Sequence, residues 1–235
     1  MLAETLSPGW LPPGLRIYAV GDAHGCAGRL AELHERIADD LTDRPVEGAL
    51  VVHLGDYVDR GPDSAGVLSL IRRPPPPGVQ IVNISGNHEQ MMLAALHERA
   101  PEEVVDLWLE NGGGPTLESY GCDPRDMRSW QVPEADLVFL RGLRPSFAIG
   151  GYFFAHAGVR PGVPLEQQDV MDLAWIREPF LSWRGRLPAV VVHGHTPAEG
   201  PEVLPHRINV DTGAVFGGAL TAAVLEEETL GFLFA

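Results

Sequence analysis

Apolar residues in this chain come in short runs, and each run stops at a cluster of polar ones. Leu15–Val20 ends in Gly21-Asp22, Ala49–Leu54 in Gly55-Asp56, and Val79–Ile84 in Ser85-Gly86-Asn87-His88-Glu89. Runs of this length, bounded by turn residues, read as buried strands. Between them the period changes. Leu30, Leu33, Ile37 and Leu41 recur at helical spacing over 26–41, and Val67, Leu68 and Ile71 mark a short helix over 63–72 that Pro74–Pro77 stop. A further helix is predicted from about Glu89 to His97. Strand, loop and helix thus alternate three times, which predicts a largely parallel sheet with helices on its faces. Ligands of such sheets sit at the C-terminal ends of the strands, where these polar clusters fall.

The rest of the chain is patterned differently. Residues 1–14, with Pro8, Gly9, Pro12, Pro13 and Gly14, read as an irregular arm ahead of one domain over 15–235. Residues 101–145 read as helical and loop-like, with Asn111–Pro115 a glycine-rich break. From Ser146 onward strands return: Phe147–Ile149, Tyr152–His156, Ala189–His193, Arg207–Val210, Ala219–Glu226 and Leu230–Phe234, the last two as an antiparallel hairpin. A second sheet packed on the first accommodates these strands. There is no repeat and no linker long enough to divide the chain.

Composition narrows the function. Hydrophobic residues make up 45% and charged residues 21% of the 235, an ordinary globular balance. Lys and Arg number 17 against 32 Asp and Glu, a formal net charge of −15. That surface argues against nucleic acid and against an anionic membrane face. An anionic substrate stays open, because bound metal reverses a local field. Two cysteines, Cys26 and Cys122, make no disulfide framework, and the N-terminus has neither a basic nor a long apolar segment. The expectation is a soluble, cytoplasmic protein.

Five polar clusters carry the chemistry: Gly21-Asp22-Ala23-His24-Gly25, Gly55-Asp56-Tyr57-Val58-Asp59-Arg60-Gly61, Gly86-Asn87-His88-Glu89, Ala155-His156-Ala157-Gly158 and Gly194-His195-Thr196. Carboxylate, imidazole and carboxamide together are the ligand set of divalent Mn, Fe or Zn. Taken singly, a Gly-Asp after a strand is a common turn, and a lone strand-end histidine is more often hydrogen-bonded than metallated. Five such clusters in series, each after a predicted strand, are another matter.

The series GDAHG, GDYVDRG, GNHE, AHAG and GHT resembles the metal-dependent phosphoprotein phosphatases, within the wider calcineurin-like metallophosphoesterases. The small bacterial and phage serine/threonine phosphatase branch is the most similar, over about Ile17 to Asp211. The resemblance implies an α/β fold of two packed mixed β-sheets flanked by helices, a four-layer sandwich with its site at strand C-terminal ends. It implies two divalent ions, Mn²⁺ first with Fe or Zn as alternatives. Asp22, His24 and Asp56 would hold one, and Asp56, Asn87, His156 and His195 the other. A carboxylate with two oxygens can bridge two ions, as that sharing of Asp56 requires.

The resemblance also assigns roles. Arg60, with Asn87, would bind phosphate oxygens, and His88 would protonate the leaving oxygen while Asp59 holds its ring. Arg177 matches the place of a second phosphate arginine more loosely, and an exposed arginine fits it nearly as well. His53 and His193 read as supporting or packing groups, His34, His97 and His206 as structural or surface, and Glu89 as a helix-start cap. Cys26 reads as a packed small residue.

The expected reaction is hydrolysis of phosphoserine or phosphothreonine in proteins, with phosphotyrosine open, by direct attack of a metal-bridging hydroxide. Two rivals stand beside it. One is a dinucleoside-tetraphosphate hydrolase or small phosphodiesterase on the same scaffold. The other is a metal-stabilised binding protein without catalysis, which would be missing a ligand or His88. Partners are then phosphorylated proteins or peptides, with specificity expected in 101–145 and in the loops after His156 and Asp211.

Overall fold

The computed structural model describes residues 4–235. Its strands are β1 (Thr5–Leu6), β2 (Leu15–Val20), β3 (Gly48–His53), β4 (Val79–Asn83), β5 (Ser146–Ile149), β6 (Tyr152–Ala155), β7 (Val190–His193), β8 (Glu202–Leu204), β9 (Arg207–Asn209), β10 (Thr221–Glu226) and β11 (Thr229–Phe234). Its helices are α1 (Ala27–Asp43), α2 (Ser64–Ile71), α3 (Asn87–Ala95), α4 (Glu102–Trp108), α5 (Gly114–Ser119), α6 (Glu134–Arg141) and α7 (Val170–Trp175). Among the described residues no helix is long and apolar enough to cross a membrane.

Two mixed sheets result, one ordered β1-β11-β10-β2-β3-β4 and the other β5-β6-β7-β9-β8. In the first, β2, β3 and β4 are parallel, and in the second β6, β7 and β9 are. Strand alternation then sorts side chains between layers. Ile17 and Ala19 of β2 face the second sheet, packing with Leu50, Val52, Phe154, Val192 and Ile208. Tyr18 and Val20 face the other way, onto Leu30, Leu33, Val67, Met92 and Trp108 of the helices. The outer face of the second sheet, through Phe153 and Val191, packs on Leu173, Ile176 and Phe180. The layers are therefore helices, sheet, sheet, and the α7 segment. At roughly 1.5–3 kcal/mol for each large apolar side chain, the inter-sheet layer outweighs any single polar contact of about 1 kcal/mol. Burial, rather than polar contact, fixes how the two sets of strand ends face one another.

Three expectations need correction. The hairpin β10–β11 joins the first sheet, not the second, because β10 pairs antiparallel with β2 through Ala222↔Val20 to Glu226↔Arg16. The arm is not wholly irregular: Thr5 and Leu6 pair with Leu230 and Thr229, while residues 1–3 lie outside the described residues. Strand β8 went unread because it is short and largely exposed. The glycine-rich stretch does interrupt the helical path: Gly112, with φ of 105°, kinks the chain between α4 and α5, and a Cβ at Gly113 would sit 2.5 Å from the Trp108 ring.

Candidate metal centre

The loops that leave β2, β3, β4, β6 and β7 meet at one end of the two sheets. Backbone strain is concentrated there. Among the described residues, six non-glycine residues have positive φ, and five of them are His24, Asp56, Asp59, Arg60 and His195. Such conformations cost of order 1–3 kcal/mol each and persist only where the surroundings impose them. Close approach contributes as well: a Cβ at Gly86 would lie 2.1 Å from Asp56 Oδ1.

Asp56 occupies the middle. Its Oδ2 lies 3.3 Å from His24 Nε2 and 4.0 Å from His88 Nε2. Its Oδ1 lies 3.3 Å from His156 Nε2 and accepts the His88 backbone N–H at 3.1 Å. Two groups of potential ligand atoms, each within 4.8 Å of one another, share it: His24–Asp56–His88 and Asp56–His156–His195. The ring orientations suit metal binding. His24 Nδ1 donates to the Val58 carbonyl at 2.8 Å and His156 Nδ1 to that of Leu54 at 2.9 Å, which leaves each Nε2 as a lone-pair donor. Asn87 Oδ1 lies 2.9 Å from His156 Nε2 and 3.0 Å from His195 Nδ1.

Asp22 stands beside these groups rather than within them. Its Oδ2 accepts the His195 backbone N–H at 3.0 Å, tying the two sheets' loops together, and its buried Oδ1 has no partner. Burial, and then the neighbouring Asp211, push this carboxyl well above its ordinary range. Burial opposes the charge on Asp56 too, but the facing His156 and His88 hold it well below that range. His156 shows the counterpart: burial disfavours its charge, yet Asp56 and then Asp22 raise it to about 10. His195, by contrast, is driven down to about 3 by burial and then by His156. A buried, unpartnered carboxylate oxygen, a shared carboxylate and imidazole nitrogens turned toward it are a donor set that divalent cations fit.

His88 and Asp59 form a buried pair, with His88 Nδ1 2.8 Å from Asp59 Oδ2. Residues far along the chain hold Asp59. Trp108 Nε1 donates to both its oxygens at 3.0 Å and Thr116 Oγ1 to Oδ1 at 2.8 Å. The segment 101–145 thus reaches the site through α4 and α5. The same region takes the Arg60 backbone N–H on the Gly112 carbonyl at 2.9 Å. The Arg60 guanidinium donates to His24 Nε2 at 2.6 Å and lies over the Phe216 ring, 5.6 Å from its centroid.

Glu89 does more than cap a helix start. Its two oxygens accept the backbone N–H groups of Gly86, Asp56, Tyr57 and Val58 at 2.7–3.3 Å, so one side chain shapes the whole Asp56 loop. Burial and then Asp56 raise it to about 7. Neither this reach nor the support from Trp108 and Thr116 was visible in the sequence, where no local spacing links them. The supporting histidines lie behind the site: His53 Nδ1 pairs with Asn83 Oδ1 at 2.8 Å and its Nε2 with His34 Nε2 at 2.9 Å, and His193 Nδ1 bonds the Gly194 carbonyl at 3.0 Å.

A cavity of about 640 Å³ opens over Asp56, Asn87, His195 and Arg60, with Arg177, Trp175 and the Arg160–Asp172 pair on its far wall. Arg177 is therefore brought to the same cavity as the ligand residues.

This architecture of two mixed sheets and flanking helices is the metallophosphoesterase fold. Residues 15–226 match the calcineurin-like phosphoesterase family, and the chain belongs to it as a phosphatase of the metallophosphoesterase type. It is 32% identical over 222 residues to serine/threonine-protein phosphatase 1 of Salmonella typhimurium, covering 89% of this chain and 92% of that one. It is 27% identical over 232 residues to bis(5'-nucleosyl)-tetraphosphatase PrpE of Geobacillus sp., covering 88% and 89%. Among solved structures it is similar to a candidate diadenosine tetraphosphatase, with TM-score 0.67, 24% identity and coverage of 97% and 98%. The cold-active protein-tyrosine phosphatase of Shewanella SP. gives TM-score 0.59 at 17% identity, with coverage of 98% and 83%. At those identities the two structures bear on the fold alone.

Proposed function

We propose that this chain hydrolyses phosphomonoesters on protein serine and threonine side chains. The observation that carries the reading is the placement of Asp56, shared by two ligand groups and flanked by the His88–Asp59 pair. Asp22, His24, Asp56, Asn87, His156 and His195 would hold two divalent ions, Mn²⁺ among them. Bound there, such ions supply Lewis acidity and an attacking oxygen near neutral pH.

The chain's own residues would do the rest. Arg60 and Arg177 border the cavity from two sides and would bind the outer phosphate oxygens through their planar forks. His88, with Nδ1–H committed to Asp59, would present its Nε2 proton to the leaving oxygen, and Asp59 stabilises the charged ring. Asn87, adjacent to His88, would contribute to both metal and phosphate binding. The loops of both sheets keep bulk water from Asp22, Asp56 and Asp59, which strengthens each of these contacts.

The protein substrate rests on the Asp59-Arg60 ending of the second motif and on the 32% identity to the Salmonella relative. A second reading, hydrolysis of dinucleoside tetraphosphates, is favoured by the PrpE likeness and by a cavity larger than one phosphoryl group needs. A substrate panel with Mn²⁺ decides between them. Phosphoserine and phosphothreonine peptides should show higher kcat/KM than diadenosine tetraphosphate. The reverse order replaces the protein-phosphatase reading with the second.

A further inference from the structure

A second cavity, of about 700 Å³, opens at the other end of the second sheet. Its wall includes Gly151 just ahead of β6, Val190 at the start of β7 and His206 just ahead of β9. These three strands are parallel, so the cavity lies at their N-terminal ends, whereas His156 and His195 follow the C-terminal ends of β6 and β7. Strands of four residues separate the two ends by roughly 10–13 Å.

Three observations mark this cavity as built to hold something. The first is charge. Among its lining residues there is no Asp or Glu, while Arg184 and Arg186 are cationic, in a chain of 32 acidic and 17 basic residues. Arg184 donates only to the backbone carbonyls of Leu181 and Trp183, at 3.2 and 2.9 Å, and neither arginine has an ion-pair partner among the described residues. Guanidinium forks with spare donors recognise phosphate, sulfate or carboxylate.

The second is an unmet polar atom. His206 is 6% exposed, and its Nε2 has no hydrogen-bond partner. Leaving such an atom unpaired costs about 1–3 kcal/mol, which a polar ligand can recover after a small ring adjustment.

The third is a fixed flat surface. Trp10 is 55% exposed, yet its carbonyl accepts the Gly151 N–H at 2.8 Å and the next residue, Leu11, donates to Glu227 O at 2.8 Å. The arm is thereby stitched to both sheets and holds the indole at the cavity rim. An exposed indole on a fixed backbone stacks on planar rings at small entropic cost.

We propose that this cavity is a second ligand site for a small molecule that combines an anionic group with a planar ring, with Arg184 and Arg186 holding the anion and Trp10 stacking on the ring. The site is separate from the metal centre and does not depend on which phosphoester is hydrolysed.

Titration of the metal-loaded full chain with 8-anilinonaphthalene-1-sulfonate, followed by fluorescence, tests it. The expected result is one saturable site, weakened at least tenfold in the Arg184→Glu/Arg186→Glu variant and also weakened by Trp10→Ala. Arg141→Glu, on α6, serves as the charge control and should bind like the parent protein. Hydrolysis of a chromogenic phosphomonoester should be unchanged in all three. Adenosine 5′-sulfate should displace the probe at concentrations where adenosine and inorganic sulfate each fail. Undiminished probe binding in the arginine double variant overturns the proposal. So does displacement by adenosine or by sulfate alone at the same concentration as by the conjugate.

Discussion

The two walls of the cavity over Asp56 are made differently. The wall from the first sheet is buried and interlocked. Asp56, Asp59 and His88 are almost wholly buried, and Glu89, Trp108 and Thr116 hold their loops. The facing wall, from α7 onward, is open. Met171 is exposed by more than half, Trp175 is 36% exposed, and the indole's one hydrogen bond is to Gln90 Oε1 at 2.9 Å. Chemistry tolerates little misplacement, since a shift of about 1 Å can cost about a hundredfold in rate. Recognition of a flexible partner tolerates more. On the proposed function, this contrast assigns the reaction to the rigid wall and the choice of substrate to the loose one, and substitutions can break that division.

The largest effect is expected at Asp56. Asp56→Asn keeps the shape but removes the shared negative charge, so both ions should be lost together and activity should fall by on the order of 10³ or more. Elemental analysis alongside a phosphomonoester assay checks it. Two retained ions in an active variant would remove Asp56 from the bridging role. Next comes His88→Asn, which should retain metal while lowering kcat by roughly 10²–10⁴, the range of a general acid. The loss should be greater for alkyl phosphates than for nitrophenyl phosphate, whose leaving group needs no proton. An equal loss for both would take His88 out of the acid role.

Much of the rigid wall is legible from sequence because it is local. Largely apolar runs such as Val79–Ile84 announce strands, here β4, and the polar residues just beyond them fall at strand ends. What escapes is contact between distant residues. Trp108 and Thr116 reach Asp59 across 49 and 57 residues, and no periodicity within α4 or α5 tells which neighbour they serve. The choice of sheet for β10 escapes for the same reason: its residues Thr221–Leu225 are buried, and an apolar run fits either sheet equally well. The loose wall was less legible still. Of α7 and its flank only Arg177 was singled out, and that by likeness rather than by pattern.

A smaller, paired test compares one tryptophan from each wall. Trp108→Phe keeps an aromatic ring in the core but removes the pyrrole half of the indole, and with it the N–H that serves both Asp59 oxygens. It should cost about 1–3 kcal/mol of stability, as a buried carboxylate losing a donor does. It should also reduce kcat less than His88→Asn but with the same leaving-group trend. Trp175→Ala should change stability by under about 0.5 kcal/mol and act through KM for peptide substrates. Denaturant midpoints and steady-state kinetics read both. If Trp175→Ala lowered kcat as much as Trp108→Phe, the two walls would not be functionally distinct.

The last expected effect is one on which the two sheets should agree. Each sheet ends a central parallel strand in a buried histidine, His53 on β3 and His193 on β7. Burial, and then the nearby His34, push His53 down to about 3, and burial with the Arg207 charge does the same to His193. In the unfolded chain both titrate near an ordinary value of about 6.5. Between pH 6.5 and 3 the unfolded chain therefore binds more protons than the folded one, so these two groups contribute stability that is full above about 6.5 and is lost as pH falls. Carboxylates also titrate in this window, so the total acid response does not isolate the histidines, but its slope does. His53→Gln can still donate to Asn83 and cannot take up the proton, so its thermal midpoint should fall less steeply from pH 6.5 to 4 than that of the parent. His193→Gln should flatten the same slope by a similar amount. A slope unchanged in both variants would mean that neither ring is held neutral by its sheet, and a change in only one would show that the difference between the walls extends into the strands beneath them.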